Sequence, residues 1–416
     1  MTETPVVLAG KRVLFVSVSY SPEHAGIGPY AAATAERLSR DGARVEVVAG
    51  LPHYPSWRLS PDDRRRFSRV EQVNGIPVTR LRQYIPRRQT ALTRGFYELT
   101  FLLHGLLRGT RRRAVDVVVA VVPSLAGGVL AQRVADHHGV PLVLIVQDLS
   151  GAGARQSGIL GGRLAAGLVS ALEQRLFKTA TALGLVHSSL AEHCRAIGVS
   201  EDRMHVVPNW TLQQPPRDVE KIVDDSWRDR FVVLHAGNMG LKQGLEVVVD
   251  AARLAQHHGH TDLLFVLMGD GSRRGALMER AEDISTLSFV DPVAGMDFPG
   301  VLAAADIGLV AQRSEVHDMS VPSKLTAYFN AGVPVLASVA ADCGTAREVR
   351  SSGAGVVIDA QEPEALLSAV LALRDAPAQR GALAAAGRTY ASDFLSAEAG
   401  LDRVAALVVA GLNTAT

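Results

Sequence analysis

Short runs of aliphatic and β-branched residues alternate along the chain with stretches of helical period. RVLFVSVS, from Arg12, leads into a helical pattern over residues 28–41 and then RVEVVAG. VDVVVAVVP, from Val115, leads into a second helical pattern near residues 124–138 and then PLVLIVQD. These runs are apolar at successive positions, as in parallel strands covered by helices on both faces. Repeated strand, helix and strand predict a doubly wound sheet. Over residues 204–230 the pattern pauses: MHVVPNW ends a strand, and the polar, proline-bearing QQPPRDVEKIVDDSWRD reads as a linker. The alternation then restarts with RFVVLHAG, a helix over about residues 244–257, LLFVLMGDG, LSFVDPV, DIGLVAQ, a helix from Ser323, VPVLAS and AGVVID. Beyond Pro363 two helices are expected. The predicted class is α/β, with two doubly wound Rossmann-like domains, residues 1–210 and 211–390, facing each other across a cleft.

Composition narrows the setting. Hydrophobic residues make up 47% of the 416 positions and aromatics only 5%, so aliphatic side chains must fill both cores. Cys194 and Cys343 are the two cysteines, too few for a disulfide framework and in keeping with a reducing compartment. The first residues place charges inside the apolar stretch rather than before it, unlike a secretion signal. No apolar run reaches the roughly 20 residues that span a bilayer. A cytoplasmic protein is therefore expected, at most peripheral on the inner face of a membrane. The net charge of +1 hides an asymmetry: residues 1–215 hold 26 basic and 16 acidic residues, and residues 216–416 hold 17 and 26. Within residues 80–113, nine arginines accompany a single acid, Glu98, around the apolar GFYELTFLLHGLL. That stretch is a candidate membrane-surface helix, or a solvated face on a core helix. It lacks the interleaved aromatics of a nucleic-acid site, and no nucleic-acid partner is expected.

Five segments could carry chemistry. In SPEHAGIGPYAAATAERL, Gly26 and Gly28 open a helix, where a backbone can approach an anion closely. GIGPYA matches the form G-x-G-x-x-A of dinucleotide sites. Its glycines, however, lie about eight residues past the strand, and the next strand ends in Val48, Ala49 and Gly50 with no acid for a ribose, so a dehydrogenase is disfavoured. In HAGNMGLKQGLEVVVDAA, a strand runs into a glycine loop with Asn238 and Lys242 and then a helix, a candidate diphosphate cradle. In VLMGDGSRRG, Gly269 and Gly271 bracket a strand end, as in a nucleotide site or a tight turn. In QRSEVHDMSVPSKLTAYFNAGVPVLAS, Pro322, Ser323, Lys324 and Leu325 form a first helical turn. Glu315, His317 and Asp318 precede it. In LVLIVQDLSG, Asp148 follows a strand, where it could orient an acceptor hydroxyl, act as a base, or cap the next segment. His137 with His138, and His257, His258 and His260, lack the carboxylates or cysteines that complete a closed metal site, so no metal is expected.

Taken together, SPEHAGIGPYAAATAERL, LPHYPSW, QDL, VVPNW, GNMGLKQGLE, GDG and VPSKLTAYFNAGVPVLAS resemble the family 4 glycosyltransferases of GT-B fold, nearly end to end. The resemblance is closest to the WcaI-like branch of polysaccharide-assembly enzymes. It implies a retaining, metal-independent transferase that needs no cofactor beyond its substrate, a UDP- or GDP-linked sugar. It implies hexosyl or N-acetylhexosaminyl transfer to a sugar, a lipid-linked or a small-molecule acceptor. The donor would lie in the second domain and the acceptor in the first, and the last helix, residues 391–416, would return to the first domain. By position the resemblance implies donor contacts at Gly26, Gly28, Asn238, Lys242, Ser323, Lys324 and Leu325; the segments themselves add Gly269, Gly271 and Glu315 as donor contacts and Asp148, His317 and Asp318 as catalytic candidates. The chain departs from much of the family where two glutamates are expected, at Met319 and Ala327, and where an Arg and a Lys are expected, at Asn238 and Gln243. Two further functions fit the same features: a nucleotide-sugar 2-epimerase of the same fold, and a non-catalytic nucleotide-sugar binding protein.

Overall fold

The computed structural model describes residues 7–24, 26–86, 90–109, 114–149, 162–210, 227–293, 297–315 and 323–414, the side chains of 91, 109, 162–166, 189 and 323 excepted. By contacts the chain divides into two compact units, Met1–Leu212 with Ala397–Thr416, and Gln213–Ser396.

The first unit is built on an eight-stranded sheet in the order β3-β4-β2-β1-β5-β6-β7-β8. Its strands are β1 (Arg12–Ser17), β2 (Arg44–Gly50), β3 (Ser68–Val73), β4 (Ile76–Leu81), β5 (Val117–Val122), β6 (Leu142–Val146), β7 (Ala182–Leu185) and β8 (Met204–Val206). All pairs are parallel except β3 with β4, an antiparallel hairpin closed by Asn74 and Gly75, both at positive φ. That hairpin was not read from the pattern, although Asn-Gly between two short runs is a strong hairpin signal. β5 and β6 are buried at every position, which is why their sequences show no alternation.

Helices α1 (Gly28–Arg40), α2 (Ala91–Gly109), α3 (Leu125–His138), α4 (Gly162–Thr179) and α5 (Ser189–Ala196) connect these strands. α1 starts with proline in its first turn, and α3 runs from a Ser124 cap to Gly139 in the left-handed region. Glu98, the lone acid of the basic stretch, turns inward from α2. Its carboxylate accepts from Ser124 Oγ at 2.8 Å and from the Ala126 amide at 2.9 Å, capping α3.

The second unit holds a six-stranded, wholly parallel sheet in the order β11-β10-β9-β12-β13-β14. Its strands are β9 (Phe231–Ala236), β10 (Leu263–Met268), β11 (Leu287–Val290), β12 (Ile307–Ala311), β13 (Val335–Ser338) and β14 (Gly355–Ile358). Helices α6 (Glu246–His257), α7 (Arg274–Arg280), α8 (Phe298–Ala303), α9 (Ser323–Ala331) and α10 (Gly344–Ser352) link them. Three helices follow Pro363, not the two expected: α11 (Pro363–Arg374), α12 (Pro377–Phe394) and α13 (Ala397–Asn413). Pro377 starts α12, because proline is tolerated in a first helical turn but not inside a helix. α13 belongs to the first unit, where Val404, Ala405, Leu407 and Val408 join the core formed by β1, β5 and β6. Among the described residues, no helix is long and apolar enough to cross a membrane.

Candidate active site

In the second unit the strand order reverses between β9 and β12, which lie side by side at the centre of the sheet. In doubly wound sheets a ligand binds outside the carboxyl ends of the strands at such a point. Three loops meet there. β9, with His235 near its end, runs into Gly237, Asn238 and a short 3-10 turn at Leu241–Gln243; β10 runs into Gly269, Asp270 and Gly271; β12 runs into Gln312 and Arg313.

The first two loops lock together through their backbones. The Gly237 amide donates to Met268 O at 2.8 Å, the Met239 amide to Asp270 O at 2.8 Å, and the Arg273 amide to Met239 O at 2.9 Å. Gly269 and Gly271 sit at φ 139° and 156°, and a Cβ on either would lie 1.9 Å from Gly237 O and 2.5 Å from Met239 O. These glycines are what lets the two loops approach. Gln243 closes the turn, its side-chain oxygen accepting from the Gly240 amide at 3.0 Å. The third loop joins through the Arg313 amide, which donates to Lys242 O at 3.0 Å. Arg313 and Arg273 converge on Glu246 in the first turn of α6, at 3.8 and 2.8 Å. Burial alone would raise the Glu246 carboxyl, but the Arg273 hydrogen bonds and the nearby guanidinium charges hold it below its usual range.

Lys324, in the first turn of α9, reaches the end of β9. Its Nζ lies 3.1 Å from His235 Nε2 and 3.4 Å from Nδ1. It also lies 3.5 Å from where a Cβ of Gly237 would stand, so the bare glycine leaves room for the ammonium. Burial lowers the Lys324 pKa to about 7. His235 is fully buried; burial first, and then the Lys324 charge, hold its imidazole well below its usual pKa, so it is neutral and can accept from the ammonium. The arrangement places a cation that can gain or lose its proton near neutrality at the carboxyl end of β9, beside the first amides of a helix.

The remaining expected residues are distributed as follows. The Lys242 side chain is exposed on the same edge, and Asn238 stands 3.5 Å from Gln243 through its amide nitrogen. Glu315 is exposed after β12. The Leu325 side chain is buried in the second core, so a ligand could meet this residue only through its backbone. His317 and Asp318 lie outside the described residues. Ser323 opens α9. In the first unit, Gly26 is at φ 64° against the Tyr54 ring, and a Cβ on Gly28 would lie 2.8 Å from Glu23 O. Asp148 is exposed just beyond β6, with Oδ1 accepting from the Leu149 amide at 2.7 Å. Neighbouring Gln147 and Asn209 pair through their amides at 2.6 and 3.0 Å.

Sequence reasoning missed His235, Arg273 and Arg313. All three lie inside or beside motifs it quoted, yet a buried histidine at a strand end carries no local signal of its partner. It also missed a buried polar group behind the Gly26–Gly28 loop. There Glu23 accepts from the His53 and Tyr54 amides at 2.9 and 3.0 Å, and His53 Nε2 lies 3.2 Å from the Tyr97 hydroxyl. Among the described residues, no group of three or more His, Cys, Asp or Glu could hold a metal ion.

Comparison with known proteins gives consistent results. Residues 25–210 match the model of the glycosyl transferase 4-like domain, and residues 230–375 match that of the glycosyl transferases group 1. The chain is 27% identical over 379 residues to WcaI of Escherichia coli (strain K12), a glycosyl transferase assigned to colanic acid biosynthesis, covering 86% of this chain and 91% of WcaI. In fold it is similar to WaaG, a glycosyltransferase involved in lipopolysaccharide biosynthesis, with a TM-score of 0.62 at 16% identity over 95% of this chain and 99% of that one. It is likewise similar to HepE of Anabaena, solved in complex with UDP, with a TM-score of 0.62 at 15% identity over 95% and 98% of the two chains.

Proposed function

The chain belongs to the family 4 glycosyltransferases of GT-B fold, and from that premise we propose that it transfers a sugar from a nucleoside diphosphate to an acceptor in polysaccharide or lipopolysaccharide assembly, with retention of configuration and without a metal. The donor is a UDP- or GDP-linked hexose or N-acetylhexosamine. UDP is favoured by the likeness to HepE. The second unit takes the donor and the first the acceptor.

The observation that carries this reading is the Lys324 ammonium held between His235 and Gly237 at the β9 end. As the bond from the anomeric carbon to the phosphate oxygen breaks, negative charge grows on the leaving diphosphate. Lys324, Lys242, Arg313 and the first amides of α9 are the groups at this edge able to stabilise that charge. Asn238, Glu315, Ser323 and the backbone of Leu325 complete the donor contacts, with Gly269 and Gly271 shaping the loop that holds them. Gly26 and Gly28 are assigned to the donor phosphates as well. The acceptor oxygen bonds to the anomeric carbon on the face the diphosphate leaves, and its proton passes to the departing phosphate oxygen, so no protein nucleophile is needed. Asp148 orients the acceptor hydroxyl, and His317 and Asp318 are assigned to the reacting sugar. The enzyme works on the cytoplasmic side of a membrane, and residues 80–113 provide its peripheral contact.

Replacing Lys324 by Ala tests the assignment. A charge-assisted hydrogen bond contributes about 1.5–3 kcal/mol, so donor turnover should fall roughly 10- to 100-fold. Turnover near the unaltered rate would remove the diphosphate site. A new sugar isomer formed from the donor without acceptor would instead support the 2-epimerase.

A further inference from the structure

β9 and β12 do not stay paired to their ends. They are in register at Ile307 with Val233 and at Gly308 with Leu234, and the ladder stops there. On its other side β9 stays paired with β10 as far as Ala236. Leu234, Ala236 and Leu309 are all buried, so backbone groups beyond this fork need partners inside the protein. The Tyr328 side chain meets them. Its hydroxyl donates to Leu234 O at 3.0 Å, accepts from the Ala236 amide at 3.0 Å, and lies 3.5 Å from Leu309 O. Burial pushes the phenol well above its ordinary pKa, so it keeps the proton it donates. The ring is fully buried and lies on the backbone of Gly308, where a Cβ would stand 2.6 Å from it. A glycine inside a strand often marks such a close approach.

Two features tie this wedge to the edge that holds the lysine. Leu234 and Ala236 are the chain neighbours of His235, which accepts from the Lys324 ammonium. Tyr328 also follows Lys324 by one helical turn on α9, so both side chains leave the same helix face. α9 is therefore held to the end of β9 at two points. The lysine's flexible four-carbon stem could not fix the helix by itself. A rigid ring, packed on Gly308 and bonded on both sides of His235, can.

We propose that Tyr328 is a positioning residue of the donor site: it props β9 and β12 apart where the strand order reverses, and sets the height at which α9 presents Lys324 and its first amides to the diphosphate. This rests on the donor-site reading above. Tyr328 touches no substrate and acts through Lys324. The hydroxyl is the part that matters, because without it the Ala236 amide loses its acceptor and the backbone on both sides of His235 is released.

The test is the affinity of full-chain variants for UDP and GDP, measured by titration calorimetry. Lys324→Ala gives the lysine's own share. Tyr328→Phe, which keeps the ring and loses the hydroxyl, should weaken the tighter nucleotide about fivefold. In the Lys324→Ala background its effect should fall below about twofold, because the two residues act as one unit. Tyr390→Phe is the control for lost stability alone. It removes a phenol hydrogen bond to Glu348, 2.9 Å long, between α12 and α10 of the same unit, and should lower the melting temperature without changing affinity. Should Tyr328→Phe not fold, hydrogen exchange in the unaltered protein decides. The Ala236 amide should then gain more protection on nucleotide binding than the Leu264 amide of β10, and equal gains would overturn the role. Unchanged affinity in Tyr328→Phe, a loss that persists in full without Lys324, or an equal loss in Tyr390→Phe would overturn the positioning role and leave the donor site standing. Unchanged affinity in Lys324→Ala, or no binding of either nucleotide to the unaltered protein, would overturn both.

Discussion

The Lys324 ammonium is useful only while it is protonated, and burial brings its pKa to about 7. A bound diphosphate favours the charged form, so donor binding takes up a proton as pH rises past that value. Donor KM should therefore be flat below about pH 7 and rise by about tenfold per pH unit above it, up to the ordinary lysine range. Measured KM against pH checks this, and a constant KM from pH 6 to 9 would remove Lys324 from the phosphate site. His235 is a positioning residue in this account, since it offers a neutral acceptor to the ammonium and need not touch the substrate. In His235→Leu that acceptor is gone, the charged form loses support, and the midpoint of the KM profile should move down by about one unit. His235→Gln, which restores an acceptor, should move it back. A loss of melting temperature with an unmoved midpoint would assign His235 to packing alone.

The strand-end loops decide how much of the site is built in advance. Gly269 and Gly271 bring the β10 loop onto the β9 loop at distances no side chain allows. Gly271→Ala should therefore push Met239 aside, lower stability by about 1–3 kcal/mol, and weaken UDP binding through the displaced Lys242 turn. Calorimetric unfolding with and without UDP separates the two effects; unchanged values in both would show that the loop tolerates a Cβ. These glycines were visible in the sequence as brackets around a strand end, but a nucleotide contact and a backbone interlock look alike there. The β3–β4 hairpin shows the opposite case. Asn74-Gly75 marked the turn locally, yet both flanking runs are short and β3, at the sheet edge, has no buried position, so the pair carried too little apolar pattern to register.

At the scale of the whole chain, α13 is the element whose place in sequence least predicts its place in the fold. It follows the second unit but completes the core of the first, with Gly400 against the Trp210 ring and Gly411 against Val143. Burying Val404, Leu407 and Val408 contributes on the order of 5 kcal/mol at about 1.5–3 kcal/mol each, comparable to the net stability of a domain. Truncation after Ser396 should thus destabilise the first unit selectively. Limited proteolysis should show residues 1–210 cut rapidly while the second unit persists; equal resistance of both would deny α13 that role.

The sequence by itself determined the α/β class, most of the strands and helices, and the motifs that mark the family, because these depend on local periodicity and on short runs of contiguous residues. Only the tertiary structure decided that β9 and β12 are neighbours, that His235 meets Lys324 across 89 positions, that Glu98 is spent on a helix cap, and that Arg82 bonds to both Arg64 and His104. Such pairings follow from strand order and the packing of helices on the sheet. Those are set by the simultaneous burial of many apolar faces, which no single window of the chain records.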